Sequence, residues 1–99
     1  MEIRIKAIKF DASEKLTGYI EKKVSKLGKM LESIQVADVS LKVAKPEVAK
    51  NKEADIRLDV PGYDLFASKT ADTFEEAVDL TVEALERQIK KYKEKNNPK

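Results

Sequence analysis

Apolar and polar residues alternate from the start of the chain. Ile3, Ile5 and Ala7 fall on one side of residues 2 to 10, Arg4 and Lys6 on the other. A period of two predicts a strand with one buried face. Asp11 and Glu14 then form a D-x-x-E capping pattern, after which the period changes. Leu16, Ile20, Val24, Leu27 and Leu31 recur every three or four residues, with Tyr19 beside them. That spacing predicts an amphipathic helix with a single apolar stripe. Gly28 sits late in it and is expected to loosen or end its last turns.

Alternation returns with Val39, Leu41 and Val43 against Ser40 and Lys42, a second strand. Residues 44 to 53 read as a charged loop punctuated by Pro46. Ala54, Ile56, Leu58 and Val60 predict a third strand. On its other face Arg57 stands between Asp55 and Asp59, a pattern that suggests cross-strand ion pairing rather than a catalytic carboxylate dyad. Pro61-Gly62 is a tight-turn dipeptide, because proline presets φ and glycine accepts a positive one. Residues 65 to 70 complete the hairpin as the fourth strand. Thr73 and Glu76 make a second capping box. Phe74, Ala77, Val78, Val82, Leu85, Ile89 and Tyr92 then carry a last helix to about Lys95, and Asn96-Asn97-Pro98 ends it.

The order β-α-β-β-β-α implies an α+β fold. The first helix should cross over right-handed between two parallel strands, and the rest of the sheet should be an antiparallel meander. Each helix has one apolar stripe, so the economical packing sets both helices side by side on one face of a four-stranded sheet. Residues 1 to 95 form one domain in this reading, with a short basic tail at 96 to 99.

Composition narrows the chemistry. Among 99 residues there is no cysteine and no histidine. Disulfides, thiolate zinc sites and a cysteine nucleophile are excluded, and the commonest general base and metal ligand is missing. The serines have no histidine to activate them. Gly18, Gly28 and Gly62 are too scattered for a phosphate-cradling loop. An enzyme, a cofactor, a metal and a small-molecule substrate are therefore not expected. No apolar run approaches the roughly 18 residues of a membrane span, and the alternating start lacks a signal-peptide core. A soluble cytoplasmic protein with no membrane partner is the plain expectation.

Net charge is only +2, but the charges are not evenly placed. Residues 71 to 86 carry Asp72, Glu75, Glu76, Asp79, Glu83 and Glu86 with no base. Residues 87 to 99 carry Arg87, Lys90, Lys91, Lys93, Lys95 and Lys99 against Glu94 alone. Complementing the helix macrodipole explains part of this, yet that effect fades beyond the terminal turns. In the first helix Lys22, Lys26 and Lys29 lie on one polar face, with Lys23 beside them and Lys15 two turns earlier. A single lysine-rich helix face is usually just solvated. Two that share a surface suit phosphates, and each phosphate neutralised releases counterions. No base-reading aromatic motif is present, which predicts recognition of shape and phosphate. Tyr19 and Tyr92 fall on apolar stripes and are expected in the core, and Tyr63 is expected to be partly exposed at the turn.

These segments also resemble a known family. Lys22-Lys23-Val24-Ser25-Lys26-Leu27 looks like its K-x-x-K-L element, and Leu41-Lys42-Val43 like its second strand. Ala54-Asp55-Ile56-Arg57-Leu58 and Phe66-Ala67-Ser68 resemble its hairpin, and residues 85 to 93 its L-x-R-Q-[LI]-x-K-x-K signature. The family is the short ribosome hibernation-promoting factors and the related protein Y, also called sigma-54 modulation proteins. The sequence departs from its pattern at Gly28, at Met30 and across residues 72 to 76.

The resemblance implies a fold similar to a double-stranded RNA-binding domain. It implies binding to the small ribosomal subunit and its ribosomal RNA over the channel for messenger and transfer RNA, silencing translation in stationary phase. By motif, the RNA-binding residues would be Lys23, Lys26, Arg87, Lys91 and Lys93. The face argument adds Lys22, Lys29 and Lys90. The chain stops soon after its basic segment, as the short type does. Pairing ribosomes with a separate ribosome modulation factor and silencing single ribosomes are both compatible with this. Two other readings compete: a general double-stranded RNA binder, and a protein-interaction module acting on a transcription factor.

Overall fold

The computed structural model describes residues 1–96; of the tail expected at 96 to 99, Asn96 is the last residue of α2 and 97 to 99 lie outside the described residues. The elements are β1 (Glu2–Ala7), α1 (Glu14–Met30), β2 (Val36–Val43), β3 (Lys52–Val60), β4 (Tyr63–Ala71) and α2 (Phe74–Asn96). The sheet order is β1-β2-β3-β4. β1 pairs parallel with β2, and the later pairs are antiparallel. Both helices cover one face, where Val39, Leu41, Ile56, Leu58, Leu85 and Ile89 are fully buried among their neighbours. Among the described residues, no helix is long and apolar enough to cross a membrane.

The strands run further than alternation alone suggested. β2 begins at Val36, three residues early, because it pairs with Asp59 at the far end of β3. β3 and β4 extend to a two-residue turn, with Val60 opposite Tyr63. Gly62 takes the positive φ, 74°, that a Pro-Gly turn requires. β1 is shorter than expected. It ends at Ala7, and a turn through Lys9 (φ 66°) brings Phe10 onto Phe74, with ring centroids 5.0 Å apart.

The cap of α1 is Ser13, not Asp11. Its hydroxyl accepts from the Leu16 amide at 3.1 Å, and the helix opens at Glu14. Three consecutive residues, Asp11-Ala12-Ser13, offered two capping side chains, and the nearer one is used. At α2 the expected cap is present, with the Glu76 amide donating to the Thr73 hydroxyl at 3.1 Å. Gly28 does not end α1, which continues to Met30. The Met1 side chain lies over Gly28, and a β-carbon there would meet its terminal methyl at 3.1 Å.

The outer sheet face is charged and open to water. Arg57 pairs with Asp38 across β2 and with Asp64 across β4, rather than with its own-strand neighbours Asp55 and Asp59. Asp55 instead accepts from the Ser68 hydroxyl.

Candidate nucleic-acid interface

The direction of the helices decides what their charges can do. Tyr19, early in α1, reaches Asp79, early in α2, and Met30 at the end of α1 meets Lys93 near the end of α2. The two helices therefore run parallel. Topology requires this, since each follows a strand (β1 or β4) that points the same way in the sheet. Both C-termini lie at one end of the molecule, so the cationic ends of both helices are brought together.

On α1, Lys22, Lys26 and Lys29 are exposed along one line. On α2, Asp79, Glu83, Glu86, Lys90 and Lys93 follow at four- and three-residue steps, a second line flanking α1. The first three members are acids and the last two are bases. The charge of the seam therefore changes sign along its length. In the first half, Lys23 and Lys26 share a small groove with Asp79, Val82, Glu83 and Glu86. In the second half, Lys29 stands next to Met30, whose carbonyl accepts from the Lys93 ammonium at 3.0 Å.

The eight expected residues thus separate by role. Lys29, Lys90 and Lys93 lie toward the ends of the two helices, which end together, while Lys26 sits a turn earlier in the groove with Glu83 and Glu86. Lys22 extends that patch along α1. Arg87 is exposed on the next line around α2. Lys91, one turn further on, faces a groove beside the β3–β4 turn rather than α1. Lys93 also closes an open carbonyl at the C-terminus of α1, where cations complement the negative end of the helix.

Lys23 is the residue least like the expectation. Its side chain is 31% exposed, its ammonium lies 3.4 Å from Asp79, and it sits 5.6 Å above the Tyr19 ring. Lys23→Glu would set a second carboxylate against Asp79, so this position is partly structural. Neither tyrosine expected in the core is fully buried. Tyr92 is half-buried and stacks on Tyr63.

Tyr19, also half-buried, donates its hydroxyl to Asp79, 2.7 Å from one carboxylate oxygen and 2.9 Å from the other. That bond, with burial and the negative charges of Asp79 and Glu75, pushes the phenol from 10.0 up to about 12. The link is fully present below the unfolded value near 10 and is lost as pH rises through about 12. Tyrosinate absorbance should accordingly show an ionisation near pH 12 that Tyr19→Phe abolishes. Loss of a step near pH 10 in that variant would contradict the assignment.

Sequence spacing does not predict the pairing of Lys23 with Asp79, because 56 residues separate them. A signal did exist: the 79-83-86-90-93 spacing marks one face of α2, with its charge reversing partway.

Comparison with known proteins agrees with this fold. Residues 3–97 match the family model described as Sigma 54 modulation protein / S30EA ribosomal protein. A ribosome hibernation promoting factor of Azotobacter vinelandii is 28% identical over 95 residues, covering 96% of this chain and 85% of that protein. One from Pseudomonas putida is 25% identical over the same length, covering 96% and 89%. Among solved structures, a ribosomal subunit interface protein from Coxiella burnetii superposes with a TM-score of 0.81 at 26% identity, covering 94% of this chain and 98% of that one. The N-terminal domain of Thermus thermophilus Protein Y gives 0.79 at 25% identity, covering 93% and 99%.

Proposed function

Because the chain belongs to the Sigma 54 modulation protein / S30EA ribosomal protein family, we propose that it is a ribosome hibernation factor. It is a binding protein and not an enzyme. In this reading it acts in the cytoplasm, seats its helical face on small-subunit ribosomal RNA over the channel for messenger and transfer RNA, and silences translation in stationary phase.

The observation that carries this reading is the parallel run of the two helices, which puts Lys29, Lys90 and Lys93 toward one shared C-terminal end, with Lys22, Lys26, Arg87 and Lys91 flanking them. Such a surface grips phosphates whatever the sequence. If about six phosphates are neutralised, affinity falls roughly a thousandfold between 50 and 200 mM salt. Co-sedimentation with purified small subunits across a salt gradient tests this. Binding at low salt that weakens steeply supports the reading, and failure to co-sediment at low salt refutes it. A plain RNA duplex that competes as well as the subunit would favour a general double-stranded RNA binder.

Seam acids give a second test. Glu83 and Glu86 lie beside Lys23 and Lys26, where they repel a phosphate backbone. Glu83→Gln with Glu86→Gln should tighten subunit binding about tenfold at low salt, since like-charge juxtaposition costs on the order of 1 kcal/mol or more. Unchanged affinity would place the RNA away from this half of the seam.

A further inference from the structure

We infer that the groove between α2 and the Pro61-Gly62 turn is a separate nucleotide subsite, in which an unpaired base stacks on Tyr63 and its phosphate meets Lys91 and Lys95. This rests on the RNA-binding reading above and goes beyond phosphate recognition by the helices. The groove has a volume of about 930 Å³, within the size range of small-ligand sites. Its lining includes the tyrosine pair, with Lys91, Glu94 and Lys95 along α2.

Tyr63 is 56% exposed although one ring neighbours it. Its ring lies against Tyr92, with centroids 5.5 Å apart and planes 15° from parallel. A flat, supported ring at the mouth of a groove is a stacking platform that needs no rearrangement to receive a base. Every base has a π-face, so such a platform tolerates any sequence. Gly62 presents no side chain over the approach, and Leu65 and Pro61 add apolar lining. Two ammonium groups against one carboxylate leave the rim net cationic. A proline-rich peptide also fits aromatic-lined grooves, but it carries no charge for two lysines to meet. A nucleotide matches both the ring and the rim. The subsite continues the basic surface, because Lys91 lies one turn beyond Arg87 on the same side of α2.

The test uses a short RNA duplex with and without a single-stranded overhang that carries a fluorescent adenine analogue. The overhang should tighten binding about tenfold, the scale of one base stacked on an aromatic ring, and stacking should quench the analogue. Tyr63→Leu should abolish both the gain and the quenching while leaving affinity for the blunt duplex unchanged. Tyr63→Phe should retain both, and Lys95→Gln should reduce the gain without removing the quenching. Circular dichroism confirms that each variant is folded. If the blunt duplex binds but the overhang adds nothing, the subsite is refuted and the helical platform stands. If neither RNA binds, the subsite is refuted, and the helical platform stands or falls by co-sedimentation with small subunits. Displacement of the overhang by a proline oligomer, bound more tightly and through Tyr63, would assign the groove to peptide and overturn the proposal.

Discussion

Reversing one charge on each helix, Lys26→Glu with Lys90→Glu, is expected to weaken small-subunit binding roughly a hundredfold, about 3 kcal/mol, since bonds to a charged partner contribute about 1.5–3 kcal/mol each. Both side chains are exposed near the shared C-terminal end of the helices. The salt dependence should flatten as well, by about one unit of slope for each phosphate that is no longer neutralised. The fold should survive, because exposed substitutions of this kind usually shift stability within about 0.5 kcal/mol. Lys6→Glu is the control. Lys6 is exposed on β1, in line with Glu2 and Arg4 on the outer sheet face, and its reversal should leave binding unaltered. Co-sedimentation across a salt gradient, with thermal melts alongside, separates the outcomes. Equal losses from Lys6→Glu would mean that overall charge, not the helical platform, governs binding.

The largest stability loss should come from Leu85→Ala. Leu85 is fully buried beneath α2, in the same cluster as Ile56, Leu58 and Ile89. Truncating a buried leucine costs about 2–5 kcal/mol, set by how far the cavity can collapse. A domain of this size holds only about 5–15 kcal/mol in total, so Tm should drop by roughly 10–30 °C. Leu80, on the same helix but 37% exposed, should tolerate alanine with a change of about 0.5 kcal/mol. α2 carries core residues on one side and the lysines proposed to bind RNA on the other, so these two properties can be separated. Well below its Tm, Leu85→Ala should bind subunits as the parent does. Weakened binding under those conditions would show that the platform depends on tight packing beneath it.

Much of this architecture can be read along the chain, because each element obeys its own period. The apolar stripe from Leu16 to Leu31 and the T-x-x-E box at Thr73 mark both helices without knowledge of the partner. The helix direction also follows from strand order, since a β-α-β crossover and a three-strand meander leave α1 and α2 parallel. Strand ends are less legible, because pairing sets them: Val36 belongs to β2 only by virtue of Asp59. Capping at Ser13 instead of Asp11 turns on a two-residue difference that two nearby capping residues cannot resolve locally. The eight basic residues were legible as exposed charge, but their division was not. Lys23 carries the same charge as Lys26, yet Asp79 and Tyr19 hold it in the seam. Long-range packing assigns that role, and local sequence does not encode it.

Site-directed cleavage of ribosomal RNA is the most direct probe of the platform. The chain has no cysteine, so an iron chelate can be tethered at Ser25→Cys on α1, at Glu94→Cys on α2, and at Ser68→Cys on the outer sheet face, all exposed positions. Tethers on α1 and α2 should cut overlapping stretches of small-subunit RNA, and the Ser68 tether should cut neither. Cleavage of unrelated stretches from the two helices, or of the same stretch from Ser68, would contradict a single cationic surface shared by both helices.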